Sequence, residues 1–185
     1  MGNKDVHLHP VEKAGALESS FRLRFQNPEK ILGPYIKPGF TVLDLGCGPG
    51  YFTTVAAGML QGSGKVIAAD IQTGMLELLR RKITGTHLEP YIELHKSGKK
   101  SIGISNNLDF IFAFYAFHEM SCPDGIMDDI CALLKPGGLI FIAEQKFHVR
   151  KSMFFEIINK MERRGFTITE RPSVFLSRAV VMRRG

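Results

Sequence analysis

The chain has few cysteines, no long apolar run and no low-complexity tract, and each absence removes a class of protein. Its three cysteines, Cys47, Cys122 and Cys131, are odd in number and form no CxxC pair, so neither a disulfide framework nor a cysteine zinc site is expected. No apolar stretch approaches the roughly 18 residues that span a bilayer. The opening residues MGNKDVHLHP lack the apolar core of a secretory signal, so a cytoplasmic protein with no membrane partner is expected. Internal repeats and Ser/Pro linkers are missing too, and 185 residues is about one domain's length. What is present, 44% hydrophobic and 23% charged residues, is the composition of an ordinary globular protein.

The formal net charge of +6 leaves a polyanionic partner open, but it is unevenly placed. Up to Glu144 there are 14 basic and 15 acidic residues; residues 145–185 hold 10 basic and 3 acidic. The whole excess therefore lies in the C-terminal fifth.

Short apolar runs alternate with amphipathic segments, which predicts α/β architecture. Runs at 41–45, 65–70, 108–114 and 139–144, with a weaker one at 91–95, read as buried parallel strands. Helices are predicted near 52–61, 74–83, 123–134 and 151–164. In the last, Met153, Ile157 and Met161 recur every four residues beside Phe154 and Ile158, a stripe expected to pack on the sheet. Thr73 is a candidate cap for the second helix, and Lys135-Pro-Gly-Gly138 should end the third. Two runs after Gly165, 166–170 and 179–182, have no helix between them and should pair as an antiparallel hairpin at the sheet edge. Asn27-Pro28 is an N-cap with proline at the first helical position, so a short helix over 28–36 should lead into the first strand, with another conceivable over 19–25.

The most informative stretch is Val42-Leu-Asp-Leu-Gly-Cys-Gly-Pro-Gly50, after a strand and before a helix. Gly46, Gly48 and Gly50 let the backbone approach a ligand at distances a Cβ would forbid. Asp44 closes the first strand and Asp70 the second, where a carboxylate can accept both ribose hydroxyls of a nucleotide. A dinucleotide fits poorly: its GxGxxG fingerprint wants glycine where Tyr51 stands, and a pyrophosphate would be repelled by Asp44. A ligand with a ribose, an adenine and a cationic end, such as S-adenosylmethionine, suits both acids.

VLDLGCGPG resembles motif I of the class I S-adenosylmethionine-dependent methyltransferases, and Asp70 in Val66-Ile-Ala-Ala-Asp-Ile71 and the Lys-Pro-Gly-Gly turn strengthen the likeness, which covers roughly residues 28–185. It implies a Rossmann-like sheet of seven strands, mostly parallel with one antiparallel strand in a C-terminal hairpin, and helices on both faces. It also implies S-adenosylmethionine as cofactor, with S-adenosylhomocysteine as product. Backbone at Gly46, Gly48 and Gly50 would hold the methionine portion, Asp44 would sit near its amino group, Asp70 would bind the ribose, and Ile71 would pack on adenine. Phe114 would join them at the end of the fourth strand. The family often has an Asp after the third strand for the adenine amine; His95-Lys-Ser-Gly-Lys-Lys100 has none, which leaves Ser97 or a backbone group. Cys47 reads as a small buried residue, not a nucleophile.

The acceptor should enter beyond the carboxyl ends of the central strands, where Phe114-Tyr-Ala-Phe-His-Glu-Met120 leaves the fourth. No Asn/Asp-Pro-Pro-Tyr sequence stands there, which argues against the exocyclic-amine and glutamine methylases. The segment resembles that of small-molecule methyltransferases, with His118 as base or acceptor-orienting residue, and equally as a histidine that only fixes its loop. Glu119 reads as a helix N-terminal charge. Tyr51, Tyr115 and His148 are candidate acceptor contacts. His7 and His9 have metal-compatible spacing without a third ligand, so no metal is expected. Residues 1–38 are expected to form a helical flap over the cleft, with Phe21 and Phe25 as apolar cover, and residues 39–185 the core. The loop 171–178 should supply part of the acceptor pocket. The expected function is methyl transfer to a small-molecule acceptor by in-line displacement, in a monomer or homodimer. An RNA methyltransferase using the basic C-terminal segment, or a non-catalytic cofactor-binding protein, is the alternative.

Overall fold

The computed structural model describes residues 25–185. Phe21, His7, His9 and, apart from Phe25, the helix expected over 19–25 lie outside the described residues. In chain order the elements are α1 (Pro28–Leu32), β1 (Thr41–Leu45), α2 (Tyr51–Met59), β2 (Lys65–Asp70), α3 (Thr73–Ile83), β3 (Ile92–Lys96), β4 (Leu108–Phe114), α4 (Pro123–Leu133), β5 (Leu134–Gln145), α5 (Lys151–Glu162), β6 (Phe166–Glu170) and β7 (Ser177–Arg184). The strands form one seven-stranded sheet in the order β3-β2-β1-β4-β5-β7-β6. All neighbours are parallel except those of β7, which runs against both β5 and β6, so the predicted edge hairpin is present.

Period-two alternation divides the core by chemistry. Phe110, Phe112 and Phe114 of β4 face α1–α3 together with Phe52, Tyr35 and Phe141, while Ile111 and Ala113 face α4 and α5 with Leu43, Ile67 and Ile142. The aromatic side is ordered by ring contacts: Phe52 stacks on Phe114 at 4.2 Å, and Tyr35 lies 5.8 Å from Phe110. Each such buried ring contributes about 1.5–3 kcal/mol by removal from water.

Four local expectations are corrected. Asn27 caps α1 as predicted, its side chain accepting from the Lys30 N–H, but the helix ends at Leu32 and not near residue 36. Thr73 is the first residue of α3 and not its cap; its hydroxyl accepts from Lys96 Nζ at 2.9 Å. Lys135-Pro-Gly-Gly138 bulges within β5 in place of a separate turn, since Leu108 pairs with Leu134 and Phe110 with Leu139. The buried stripe of α5 is Phe154, Ile158 and Met161 with Ile157 at its edge, whereas Met153 is 45% exposed. Met153 lies about 100° around the helix from Phe154, so it points to the flank of α5 and not to the sheet.

Candidate functional site

Strand order reverses between β1 and β4, and a cleft of about 670 Å³ opens there, at the carboxyl ends of the strands. Its size is that of a small-molecule site. The loop after β1 forms its floor, and all three glycines there adopt positive φ (79°, 54° and 86°), a region costly for other residues. A Cβ on Gly46 would lie 2.6 Å from the Ala116 Cβ, and one on Gly50 only 2.2 Å from Leu79 Cδ1. Gly46 and Gly48 line the cleft; Gly50 stands behind it, where its missing side chain lets α3 close on the loop.

The loop is pinned from β2. The N–H groups of Gly46 and Cys47 donate to the Ala69 carbonyl at 2.8 and 3.1 Å. Asp70 then accepts from the Gly48 N–H at 2.9 Å on one oxygen and the Gln72 N–H at 2.8 Å on the other. Burial raises the Asp70 pKa, opposed by the N–H groups of Gln72 and Gly48 and by the Lys96 charge. The Ile71 N–H also acts on this carboxylate, and of its four lone-pair sites these three N–H groups leave one for a ligand hydroxyl. Asp44, also buried, accepts from the Thr53 hydroxyl at 2.6 Å, which fixes its carboxylate at the cleft edge. Burial, then the charges of Asp44 and Asp70, push the Cys47 thiol well above its ordinary range, so it stays protonated.

Ile71, Ser97 and Phe114 line the same cleft, Ser97 being held by its N–H to the Asp70 carbonyl at 3.1 Å. Tyr51, Tyr115, His118 and His148 line it as well, so the sequence candidates after the fourth strand converge with those after the first two. Tyr115 has φ +65°, an unusual conformation for a residue with a side chain. Its N–H donates to the Ala143 carbonyl, and its hydroxyl contacts Ser177 Oγ at 2.6 Å and the Gln26 side-chain amide. Gln26 also donates to the Phe175 carbonyl at 3.1 Å, and Phe25 stacks on Phe175 at 4.7 Å. The loop before β7 thus reaches the cleft through Tyr115, and among the described residues none from 171–178 lines it.

His118 sits in a 3-10 turn, Phe117–Glu119, with its Nδ1 2.7 Å from Glu144 Oε2 and its backbone N–H 3.2 Å from Glu144 Oε1. Glu144 is fully buried near the end of β5. With the Nδ1 proton directed to Glu144, Nε2 is the basic nitrogen. Burial disfavours the imidazolium, but the hydrogen bond and charge of Glu144, aided by Glu119, outweigh it and raise the His118 pKa. Glu119 is corrected: it is a wall residue of the cleft, 3.8 Å from His118 Nε2, and precedes α4 by several residues. Glu144 is the residue that motif reasoning passes over. Its signal was available, since Leu139-Ile-Phe-Ile-Ala-Glu144 ends an apolar strand with an acid, as Asp44 and Asp70 end theirs.

A family model described as a methyltransferase domain matches residues 42–138, which run from β1 through the pinned loop and His118 to the bulge in β5. The chain belongs to the methyltransferase domain family. It is 27% identical over 185 residues to a demethylmenaquinone methyltransferase of Symbiobacterium thermophilum, covering 94% of this chain and 71% of that protein. A ubiquinone/menaquinone biosynthesis C-methyltransferase of Francisella tularensis is 29% identical over 110 residues, covering 59% of this chain and 44% of that one. The chain thus spans less than half the length of the second relative. The crystal structure of a SAM-dependent methyltransferase from Aquifex aeolicus superposes with a TM-score of 0.86 at 27% identity, over 96% of this chain and all of the other. The enzyme is a methyltransferase that depends on S-adenosylmethionine. The site fits that cofactor in its chemistry: a glycine cradle that a Cβ would obstruct, one carboxylate with a lone pair to spare, and a second suited to an ammonium group.

Proposed function

We propose that this methyltransferase acts on a small aromatic acceptor whose reacting centre becomes nucleophilic on losing a proton, and that His118 takes that proton. The observation that carries the proposal is the His118–Glu144 pair opening on the same cleft as the Asp44–Gly48–Asp70 floor. A base is needed only where the acceptor carries a proton at neutral pH; a histidine braced by a buried carboxylate is equipped for that task. The aromatic wall of Phe114 and Tyr115 suits a flat ring, and relatives named as quinone-pathway methyltransferases, one a C-methyltransferase, support an acceptor of that kind.

When bound, S-adenosylmethionine supplies an electrophilic methyl carbon attached to a sulfonium. The residues of this chain do the rest. Asp44 orients the ammonium end, Asp70 accepts a ribose hydroxyl, and Ile71 and Ser97 border the adenine. His118 Nε2 accepts the proton of the acceptor, and Glu144 stabilises the imidazolium so formed. Tyr51, Tyr115 and His148 orient the acceptor. Gln26 ties the start of the described chain to the cleft wall, its carbonyl accepting from Tyr51 Oη at 3.2 Å while its side chain holds Tyr115 and the β6–β7 loop.

The test is S-adenosylhomocysteine release across a panel of hydroxylated aromatic acceptors, with Asp70→Ala and His118→Asn beside the parent. Turnover lost in both supports the proposal. Undiminished turnover in His118→Asn removes the base, and methylation of RNA with no small molecule accepted removes the acceptor class.

A further inference from the structure

We propose that the rim beside the cleft, formed by the turn after β5, the start of α5 and the loop between β6 and β7, docks peripherally on an anionic phospholipid bilayer. Large apolar side chains stand out from this rim: Phe147 is 84% exposed, Met153 45%, Leu176 41% and Phe155 38%. Phe147, Leu176 and Phe155 belong to one connected stretch of surface, while Met153 stands on the opposite flank of α5 from Phe155. The Lys146 N–H donates to the Leu176 carbonyl at 3.0 Å, Arg178 donates to the carbonyls of Lys146 and Val149, and the Arg171 guanidinium lies 5.6 Å over the Phe155 ring. Contiguous exposed apolar groups of this kind mark interaction surfaces.

Charge selects the partner. Lys146, Arg150, Lys151 and Arg171 are exposed on the same rim, and among the described residues no carboxylate pairs with any of them. The cations at the end of α5 and just beyond it behave differently: Lys160 and Arg164 are held by Asp124 and Asp128 of α4 at 2.7–3.2 Å. Of the ten cations of the C-terminal segment, two are thus paired against α4, whereas Lys146, Arg150, Lys151 and Arg171 stand near apolar side chains with no carboxylate partner among the described residues. Lys and Arg around inserted apolar groups is the pattern of a protein that lies on an anionic membrane surface. RNA could stack on Phe147 and Phe155 but would leave the exposed Met153 and Leu176 without a role, whereas a bilayer takes up all four. A symmetric pair of copies meeting through this rim would set its cations against themselves. The lack of a spanning segment, from which no membrane partner was expected, does not bear on peripheral docking. Gln145 and His148, on either side of the Lys146–Phe147 pair, line the cleft, so docking here brings the cleft to the lipid surface.

The full chain is sedimented with vesicles of phosphatidylcholine alone and of phosphatidylcholine with phosphatidylglycerol. Binding is expected to the anionic vesicles only, to weaken with salt, and to fall by about fivefold for each of Lys146→Glu and Lys151→Glu. Phe147→Ser should lower it several-fold while calorimetric affinity for S-adenosylmethionine is kept. The chain has no tryptophan, so Phe147→Trp adds a single fluorophore whose emission should shift to the blue on anionic vesicles. Equal pelleting of parent and Phe147→Ser, an unshifted Phe147→Trp spectrum, retention of RNA in place of vesicles, or a dimer that Phe147→Ser dissolves would each overturn the proposal.

Discussion

His118 Nδ1 lies 2.7 Å from Oε2 of the fully buried Glu144, and the other oxygen of the same carboxylate accepts the His118 backbone N–H at 3.2 Å. One acid thus fixes both the ring and the turn that carries it. Replacing His118 by Asn should lower kcat by about a hundredfold or more while leaving cofactor affinity intact, as loss of a general base does. Steady-state kinetics with calorimetry checks both halves; a loss confined to cofactor affinity would assign His118 to binding.

The raised pKa of His118 gives a pH dependence of defined sign. The base form is lost on acidification, so kcat/KM should fall with an apparent pKa above the ordinary histidine value of 6.5. Glu144→Gln removes the charge that raises it and should shift that limb to lower pH. Stability follows the linked rule: a group whose folded pKa is raised contributes fully below pH 6.5 and loses that contribution as pH rises through the folded value. Urea unfolding of the parent against His118→Asn, at about pH 6 and about pH 8, should therefore show the gap between them narrowing at the higher pH.

Asp70 joins the Gly48 and Gln72 N–H groups, one on each oxygen. Asp70→Asn turns one acceptor into a donor facing an N–H, and charged hydrogen bonds of this sort are worth about 1.5–3 kcal/mol. S-adenosylmethionine affinity should fall by about tenfold or more, which calorimetry reads directly. An unchanged affinity would show that the ribose lies elsewhere.

Gly50 combines φ +86° with a Cβ position 2.2 Å from Leu79 Cδ1. Gly50→Ala adds left-handed strain of about 1–2 kcal/mol to overpacking of about 1–3 kcal/mol, so a loss of roughly 2–5 kcal/mol is expected in denaturant unfolding. Gly85→Ala, at φ +74° with nothing within 4 Å of the added Cβ, carries the first cost alone and should lose less.

The three thiols should separate kinetically. Cys47 is buried with its pKa pushed well up, while Cys122 and Cys131 are half-buried. A neutral-pH thiol reagent should modify Cys47 last, and S-adenosylmethionine should slow it further. Early, cofactor-insensitive modification of Cys47 would contradict the packing of the loop.

Strand positions, the edge hairpin and the glycine loop were legible in the sequence because each rests on local chemistry: apolar runs too short for helices, glycines between strand and helix, and acids closing β1 and β2. The misplaced Met153 marks where periodicity fails, since the stripe of Met153, Ile157 and Met161 and that of Phe154, Ile158 and Met161 are about equally apolar in sequence and only the packing on the sheet selects the second. Glu119 and Glu144 mark a second kind of failure. One looked like a helix charge and the other like the last residue of a strand, and only the parallel pairing of β4 with β5 sets Glu144 under His118.

Charge followed the same division. The amino-acid sequence by itself determined that ten cations and three acids fall in residues 145–185. Tertiary structure decided which of those cations α4 neutralises and which, among the described residues, have no carboxylate partner, because pairing depends on a carboxylate within about 4 Å and not on neighbours along the chain. The cofactor loop could be read from nine consecutive residues, whereas the base, its buried partner and the rim were assembled from segments that meet only when the sheet closes.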